Sequence, residues 1–187
     1  SGPSGCGKEL AARVMHAKSQ REDGPFVVLN AAAMVPDRME LELFGTEEGT
    51  GAGPRKVGAL EEAHGGTLYI DEVADMPLET QAKILRVLVE QRFQRLGGGP
   101  KVHVDVRVVS STSHDLQKEI TAGRLREDLY HRLNVVPIRI PGLAERREDI
   151  PDLVRYFVQT ISVASGLPPR RIGEDAMAVL QSHEWPG

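Results

Sequence analysis

The sequence predicts an α/β fold in which a parallel β-sheet is covered by helices on both faces. Apolar runs typical of strands alternate with amphipathic helical segments along the 187 residues, which is the pattern of a parallel sheet. A glycine-rich turn at residues 2–8 opens the first helix, and the apolar run 67–70 ends in Asp71 and Glu72. Two adjacent carboxylates at the carboxyl edge of a sheet favour a bound cation or phosphate there.

Hydrophobic periodicity predicts the elements in chain order. Segments with apolar residues every three or four positions are predicted as helices. One of them follows Pro77 and packs Ile84, Leu85, Val87 and Leu88 inward. The others are 8–19, 37–43, 59–63, 116–121, 126–133, 149–163 and 174–183. Short apolar runs are predicted as strands, namely 26–29, 67–70, 102–109 and 135–140. Residues 93–99, which end in three glycines, suggest a hairpin.

Glycine- and proline-rich segments interrupt this pattern at two places. Residues 45–54 are too rich in glycine for regular structure and are predicted to form a surface loop. Pro141 and Gly142 precede the last two helices, which we expect to form a small helical lid. We therefore divide the chain into a nucleotide-binding α/β subdomain, 1–142, and a lid subdomain, 143–187.

Composition excludes several classes of protein. With 40% hydrophobic and 27% charged residues, the chain has the balance of a folded globular domain. The net charge of −4 and the absence of a long apolar stretch argue against a DNA-gripping surface and against a membrane span. The single cysteine, Cys6, cannot form an internal disulfide, so we expect a cytoplasmic protein. Cys6 is interpreted as a small filler of the glycine-rich turn, with a redox-sensing thiol as the alternative.

The glycine-rich turn has the composition of a phosphate-binding loop. Gly2, Ser4, Gly5, Cys6 and Gly7 would let successive backbone N–H groups converge on phosphate oxygens. Lys8 would bring an ammonium group to the outer phosphates. The next residue is Glu9, where this motif usually has Ser or Thr. The alternative interpretation is a glycine-rich turn that caps an amphipathic helix.

The acidic pair after the strand 67–70 supplies the second half of a nucleotide site. Asp71 lies where a carboxylate would hold Mg²⁺, directly or through water. Glu72 lies where a general base could polarise a water molecule towards the terminal phosphate. Together with the loop, the pair predicts a nucleoside triphosphatase that uses ATP and Mg²⁺.

Long motifs spread over the chain carry a family resemblance. They are residues 2–9, 42–45, 65–72, 81–89, 126–133, 146–151 and 185–187. The chain resembles the central domain of bacterial enhancer-binding proteins, the sigma-54-dependent activators of the AAA+ class. The resemblance implies a P-loop AAA+ ATPase core plus the start of a C-terminal helical lid, and it keeps Glu9 in the nucleotide site, because Glu is common there in the family. The first strand that should feed the loop, and an arginine beyond Gly187, are expected to be missing, so we expect a weakly stable fragment.

The resemblance assigns Asn30, Thr112 and Ser113 to nucleotide sensing. Asn30 would be a switch that holds Glu72 away from water until the nucleotide state changes; a turn-capping asparagine is the alternative. Thr112 and Ser113 stand where the family senses the terminal phosphate, most often through Asn. The side chain of Ser113 has no amide group to donate a hydrogen bond, so sensing of the terminal phosphate by this residue is in question.

The resemblance also assigns Arg126 and Arg132 to the active site of a neighbouring subunit. There their guanidinium groups would neutralise charge on the transferring phosphoryl group. The alternative is that both arginines are solvated or paired with Glu127 and Asp128 on their own helix. The trans role implies self-association into a ring, a hexamer or heptamer in the family.

The loop that contacts the sigma factor in this family departs from the family pattern. Residues 49–52 read Gly-Thr-Gly-Ala, two residues short and without the aromatic tip. We expect such a loop to lose reach and its apolar contact, which puts the RNA polymerase sigma-factor contact in question. The short loop resembles the NtrX branch of nitrogen-regulation response regulators, which implies a receiver domain and a DNA-binding domain outside this segment. The resulting hypothesis is that this chain is the ATP-hydrolysing domain of such a transcription regulator. The alternative is that it is a nucleotide-gated oligomerisation scaffold that hydrolyses little ATP and acts without sigma-54.

Overall fold

The computed structural model describes residues 1–48 and 55–186 of the chain. Its helices are α1 Lys8–Ala17, α2 Pro36–Phe44, α3 Ala59–Glu62, α4 Leu78–Glu90, α5 Leu116–Thr121, α6 Glu127–Leu133, α7 Ile150–Ser165 and α8 Glu174–Ser182. Its strands are β1 Phe26–Asn30, β2 Thr67–Asp71, β3 Arg92–Phe93, β4 Val102–His103 and β5 Arg107–Ser110. The chain forms two units: Ser1 with Gly7–Ile138, and Gly2–Cys6 with the chain from Arg139 onwards.

A three-stranded parallel sheet in the order β1-β2-β5 forms the centre of the larger unit. The central strand β2 is covered on both faces, and its Leu68, Tyr69 and Ile70 are almost completely buried. This explains its uninterrupted apolar run, because a central parallel strand has no solvent face. The register places Asn30 opposite Asp71 and Ile70 opposite Ser110, so the carboxyl ends of the three strands meet at one edge.

Helices of the larger unit contribute apolar side chains to one core. In α4, Ile84 and Val87 are buried, and Leu85 and Leu88 are half-buried and pack against the same core, as the periodicity predicts. Helix α2 begins with Pro36 in its first turn, where a missing N–H has no cost. Helix α5 begins after Asp115, whose side chain accepts hydrogen bonds from the N–H groups of Gln117 and Lys118.

Two strand predictions need correction. The predicted strand 102–109 is two strands, because β4 pairs antiparallel with β3 and β5 pairs parallel with β2. The turn between them redirects the chain from one partner to the other. The predicted strand 135–140 has no strand conformation. A strand exists only where a neighbour completes its hydrogen-bond ladder, and this segment pairs with none of the strands in the described residues. The Ser1 ammonium donates to Ile138 O at 2.6 Å.

The predicted hairpin is present, since β3 and β4 pair antiparallel around the glycines 97–99. The shortened sigma-contact loop, residues 49–52, lies outside the described residues. The second unit contains α7 and α8 together with two short 3₁₀ turns, Leu143–Glu145 and Arg147–Asp149. None of the helices in the described ranges has the length and apolarity needed to cross a bilayer.

Candidate functional site

Asp71 is fixed at the end of β2 by two hydroxyl groups. The Ser111 hydroxyl donates to Asp71 Oδ1, and the Tyr69 hydroxyl lies 3.0 Å from the same oxygen and 2.9 Å from Ser111 Oγ. Burial, together with the neighbouring Asp71 carboxylate, raises the pKa of Tyr69 well above its ordinary value, although the Ser111 hydroxyl acts against this shift. Tyr69 is therefore protonated at neutral pH and orients the Asp71 carboxylate.

Glu72 follows directly and has a donor on each carboxylate oxygen. Lys8 Nζ lies 3.1 Å from Glu72 Oε1, and the Ser113 N–H donates to Glu72 Oε2 at 2.7 Å. Burial acts to raise the pKa of Glu72, but the Ser113 donor and the Lys8 ammonium outweigh it, so the pKa lies below its ordinary value. The backbone of Glu72 is left-handed, with φ of 51°, and the next N–H, that of Val73, donates to Ser111 O.

Lys8 and Gly7 begin helix α1 in the larger unit. Gly7 has a φ of 94°, which glycine adopts at little cost, and its carbonyl accepts from the Ala11 N–H. The loop lysine and the acidic pair after β2, which the sequence assigns to one nucleotide site, are in direct contact through Lys8 and Glu72. Glu9 is exposed and pairs with Arg13 at 2.7 Å, so its side chain stabilises the helix in this state.

The remaining loop residues, Gly2–Cys6, form a tight turn in the second unit. The Cys6 N–H donates to Pro3 O at 3.3 Å, and Gly5 has a positive φ of 74°. Cys6 is buried, as expected for a small filler residue, and its thiol is free. Ser4 is exposed.

Asn30, Thr112 and Ser113 lie at the carboxyl edge of the sheet. Asn30 Oδ1 accepts from the Ala33 N–H at 3.2 Å, which is the turn-capping arrangement. Thr112 is buried, and its hydroxyl oxygen accepts from the N–H two residues later at 3.0 Å. Ser113 contributes its backbone N–H to Glu72. Their roles as switch and sensor stay predictions.

Arg126 and Arg132 lie on the exposed surface around α6. The Arg126 guanidinium forms two hydrogen bonds to Asp128, at 3.0 and 2.7 Å, and this pairing raises the pKa of Arg126. Arg132 donates to Leu88 O at 2.9 Å. The Arg126 contact is the pairing of the alternative interpretation, whereas Arg132 contacts the backbone of α4. Action on a neighbouring subunit stays a prediction for both.

Three residues that support the site are absent from the sequence prediction. Besides Tyr69 and Ser111, the buried Gln81 donates to Met76 O and Arg124 O and accepts from the Arg126 N–H, which fixes the backbone where α6 begins. Ser111 had a sequence signal, because it belongs to the polar run 110–114 that begins at the end of strand β5, beside Asp71.

The carboxylate of Asp71 is a suitable ligand for a hard divalent cation. Its Oδ1 is occupied by the two hydroxyl groups, whereas no hydrogen bond to Oδ2 is found in the described part of the chain. Carboxylate oxygen is the ligand that Mg²⁺ prefers in proteins. Asp71 could therefore hold Mg²⁺ through Oδ2, directly or through water.

Comparisons with known proteins agree over the whole chain. The Sigma-54 interaction domain matches residues 1–139, and the AAA+ ATPase lid domain matches residues 144–187. The nitrogen assimilation regulatory protein NtrX of Azorhizobium caulinodans is 68% identical over 186 residues, which cover 100% of this chain and 41% of that protein. Crystal structures of NtrX from Brucella abortus are similar with TM-scores of 0.93 in complex with ADP, at 62% identity, and 0.91 in complex with ATP, at 63% identity.

Both crystal structures are matched over 100% of this chain, which covers 41% and 42% of their chains. The sequence thus spans about two fifths of the length of these relatives. This agreement confirms the predicted family and the AAA+ fold. The chain belongs to the Sigma-54 interaction domain family, as an AAA+ domain of the NtrX and NtrC type that is followed by residues of the AAA+ ATPase lid domain.

Proposed function

We propose that this chain binds and hydrolyses ATP with Mg²⁺ in the cytoplasm, as the ring-forming motor domain of a nitrogen-regulation response regulator. The observation that carries the proposal is the contact of Lys8 with Glu72, one residue from the oriented carboxylate of Asp71. The NtrX structures in complex with ADP and ATP support it, because they are similar to the whole of this chain.

Each residue of this cluster has a distinct role in the proposal. Lys8 neutralises the outer phosphates, and in doing so it leaves Glu72. Without the ammonium beside it, Glu72 becomes a stronger base and can accept a proton from an attacking water molecule. Asp71 holds Mg²⁺, which when bound neutralises charge on the phosphate oxygens. Residues 1–142 form the nucleotide-binding core and 143–187 the lid.

Other assignments extend the proposal beyond Lys8, Asp71 and Glu72. Gly2, Ser4, Gly5, Cys6 and Gly7 line the phosphates; Asn30, Thr112 and Ser113 report the nucleotide state; Arg126 and Arg132 complete the site of a neighbouring subunit. DNA binding belongs to a domain of the regulator outside this sequence. The shortened loop at 49–52 weakens the sigma-factor contact.

The glutamate-to-glutamine variant of the base tests the proposal most simply. In the full-length protein, Glu72→Gln should bind ATP at least as tightly as wild type and hydrolyse it about 100-fold or more slowly, because an amide cannot accept the proton. Lys8→Ala should instead weaken ATP binding itself. Steady-state phosphate release and equilibrium nucleotide binding measure the two effects.

Glu79→Gln is the matched control, since Glu79 is an exposed acid in the first turn of α4. It should leave both quantities unchanged. Wild-type turnover in Glu72→Gln would refute the assignment of the base. Tight ATP binding by the wild type with negligible turnover would support the nucleotide-gated scaffold, which no observation on the chain favours at present.

A further inference from the structure

The phosphate loop of the second unit lies against residues 140–146. A Cβ atom on Gly2 would lie 2.4 Å from Ile140 O and 2.7 Å from Cys6 Sγ, so the backbone approach there requires glycine. A Cβ on Gly142 would lie 3.4 Å from the Pro3 ring. The third contact is a hydrogen bond from Arg146 Nη2 to Cys6 O at 2.7 Å. One face of the loop is thus packed on one short segment.

Arg146 differs from its neighbours Arg139 and Arg147, each of which pairs with a carboxylate. Arg139 pairs with Glu145 and Arg147 pairs with Glu184, whereas no ion pair to Arg146 is found among the described residues. Its Nε is buried and has no hydrogen-bond partner there. A cation held at the phosphate loop with an unused buried donor suits a site that receives an anion.

The contact of Arg146 with Cys6 O also fixes a neighbouring N–H group. The carbonyl of Cys6 and the N–H of Gly7 belong to one peptide unit, and the described peptide bonds are all trans. In a trans peptide the C=O and N–H groups point in opposite directions. A guanidinium that holds the Cys6 carbonyl therefore turns the Gly7 N–H to the other side of the loop.

We propose that Arg146 is a positioning residue of the phosphate loop, which orients the peptide between Cys6 and Gly7 so that its N–H can donate to a nucleotide phosphate. This inference rests on the proposed function, because it assumes that the loop binds nucleotide. It adds a determinant of affinity that lies far from the loop in sequence.

The test compares neighbouring arginines in the full-length protein. Arg146→Met should weaken ATP binding about tenfold or more, the effect of losing a charge-assisted hydrogen bond. Arg147→Met removes the same charge one residue away, from an exposed pair with Glu184, and should change ATP affinity less than about twofold. Equilibrium titration with a fluorescent ATP analogue measures both, and thermal unfolding checks that both variants fold.

Chemical rescue separates positioning from a structural role. Methylguanidinium in the assay should restore part of the ATP affinity of Arg146→Ala and none of that of Lys8→Ala. Equal affinities of Arg146→Met and Arg147→Met would overturn the inference, as would the absence of rescue. If Arg146→Met does not fold, Arg146→Lys replaces it, because lysine keeps the charge but has a single donor nitrogen. Arg146→Lys is expected to bind ATP about threefold more weakly than wild type. Wild-type ATP affinity in Arg146→Lys would overturn the inference.

The same titrations distinguish a failure of the proposed function from a failure of the role of Arg146. Failure of the wild-type protein itself to bind ATP would refute the proposed function. Wild-type binding that Lys8→Ala abolishes, together with normal binding by Arg146→Met, would refute the role of Arg146 alone.

Discussion

Glu72 is an ion-paired carboxylate in this structure rather than a free base. Both of its oxygens accept from donors, Lys8 Nζ and the Ser113 N–H, and its pKa is lowered as a result, against the opposing effect of burial. A carboxylate held in this way is a weaker proton acceptor than a free one. Because Lys8 is also the residue expected to meet phosphate, binding and activation of the base are coupled through one ammonium group.

Ser111 is the residue that holds the two carboxylates in place. Its hydroxyl contacts Asp71 and Tyr69, and its carbonyl accepts from the Val73 N–H. Ser111→Ala should lower the free energy of unfolding by about 1–2 kcal/mol, because Asp71 Oδ1 would keep only Tyr69 as a donor. It should also raise the Mg²⁺ concentration needed for half-maximal ATP hydrolysis.

Urea denaturation and a Mg²⁺ titration of activity measure these effects. The matched control is Ser110→Ala, since Ser110 is half-buried and its hydroxyl has no hydrogen-bond partner in the described ranges. Indistinguishable stability and Mg²⁺ dependence in the two variants would contradict the role of Ser111.

Local sequence patterns single out Lys8, Asp71 and Glu72, which the structure brings together, but not the residues that orient them. The loop and the apolar run before Asp71 are local patterns, and they led directly to the contact of Lys8 with Glu72. Ser111 and Arg146 act on residues 40 and 140 positions away. Their roles follow from strand register and from the packing of Gly2 on Ile140, which periodicity does not specify.

At the scale of elements, a strand could be predicted where its apolar run alone identifies it as a strand. Strand β2 is apolar throughout because it is central, and β1 and the hairpin were also predicted. The segment 135–140 is also rich in Val and Ile, but Pro137 lacks an N–H for a ladder, and the segment pairs with no strand among the described residues. Strand formation depends on a partner, and composition alone does not provide one.

A buried arginine links described residues on both sides of the segment 49–54. Arg95, only 6% exposed, contacts Glu61 of α3 at 2.8 Å and Glu47 at 2.9 Å. Thr46 and Lys56 exchange backbone hydrogen bonds of 2.9 and 3.0 Å. The Glu47 N–H donates to Leu96 O, next to Arg95. The hairpin region and the loop ends are therefore one connected element.

Arg95→Met should lower the free energy of unfolding by about 3 kcal/mol, because it removes the buried cation that Glu47 and Glu61 share and leaves them the exposed Arg55, 3.8 and 3.9 Å away. The control is Arg92→Met, which breaks the exposed pair of Arg92 with Glu90 and should cost less than about 1 kcal/mol. Urea denaturation of both variants gives the comparison. Equal small losses would show that the Arg95 cluster does not anchor this region.

At the scale of the whole molecule, we propose that each active site is completed by a residue of a neighbouring subunit. Arg126 is exposed and pairs with Asp128 on its own helix, a contact of the kind that contributes little and can be exchanged. A phosphoryl group of a neighbouring subunit would be a stronger partner for the same guanidinium. Activity should then depend on assembly, whereas a site complete within one chain would be independent of it.

The most direct measurement is ATP hydrolysis per subunit as a function of the concentration of the full-length protein. We predict that specific activity rises with concentration to a plateau, and that mixing Arg126→Ala with Lys8→Ala subunits, each inactive alone, restores part of it. Specific activity that stays constant on dilution, or no activity in the mixture, would contradict the claim that Arg126 acts across a subunit interface.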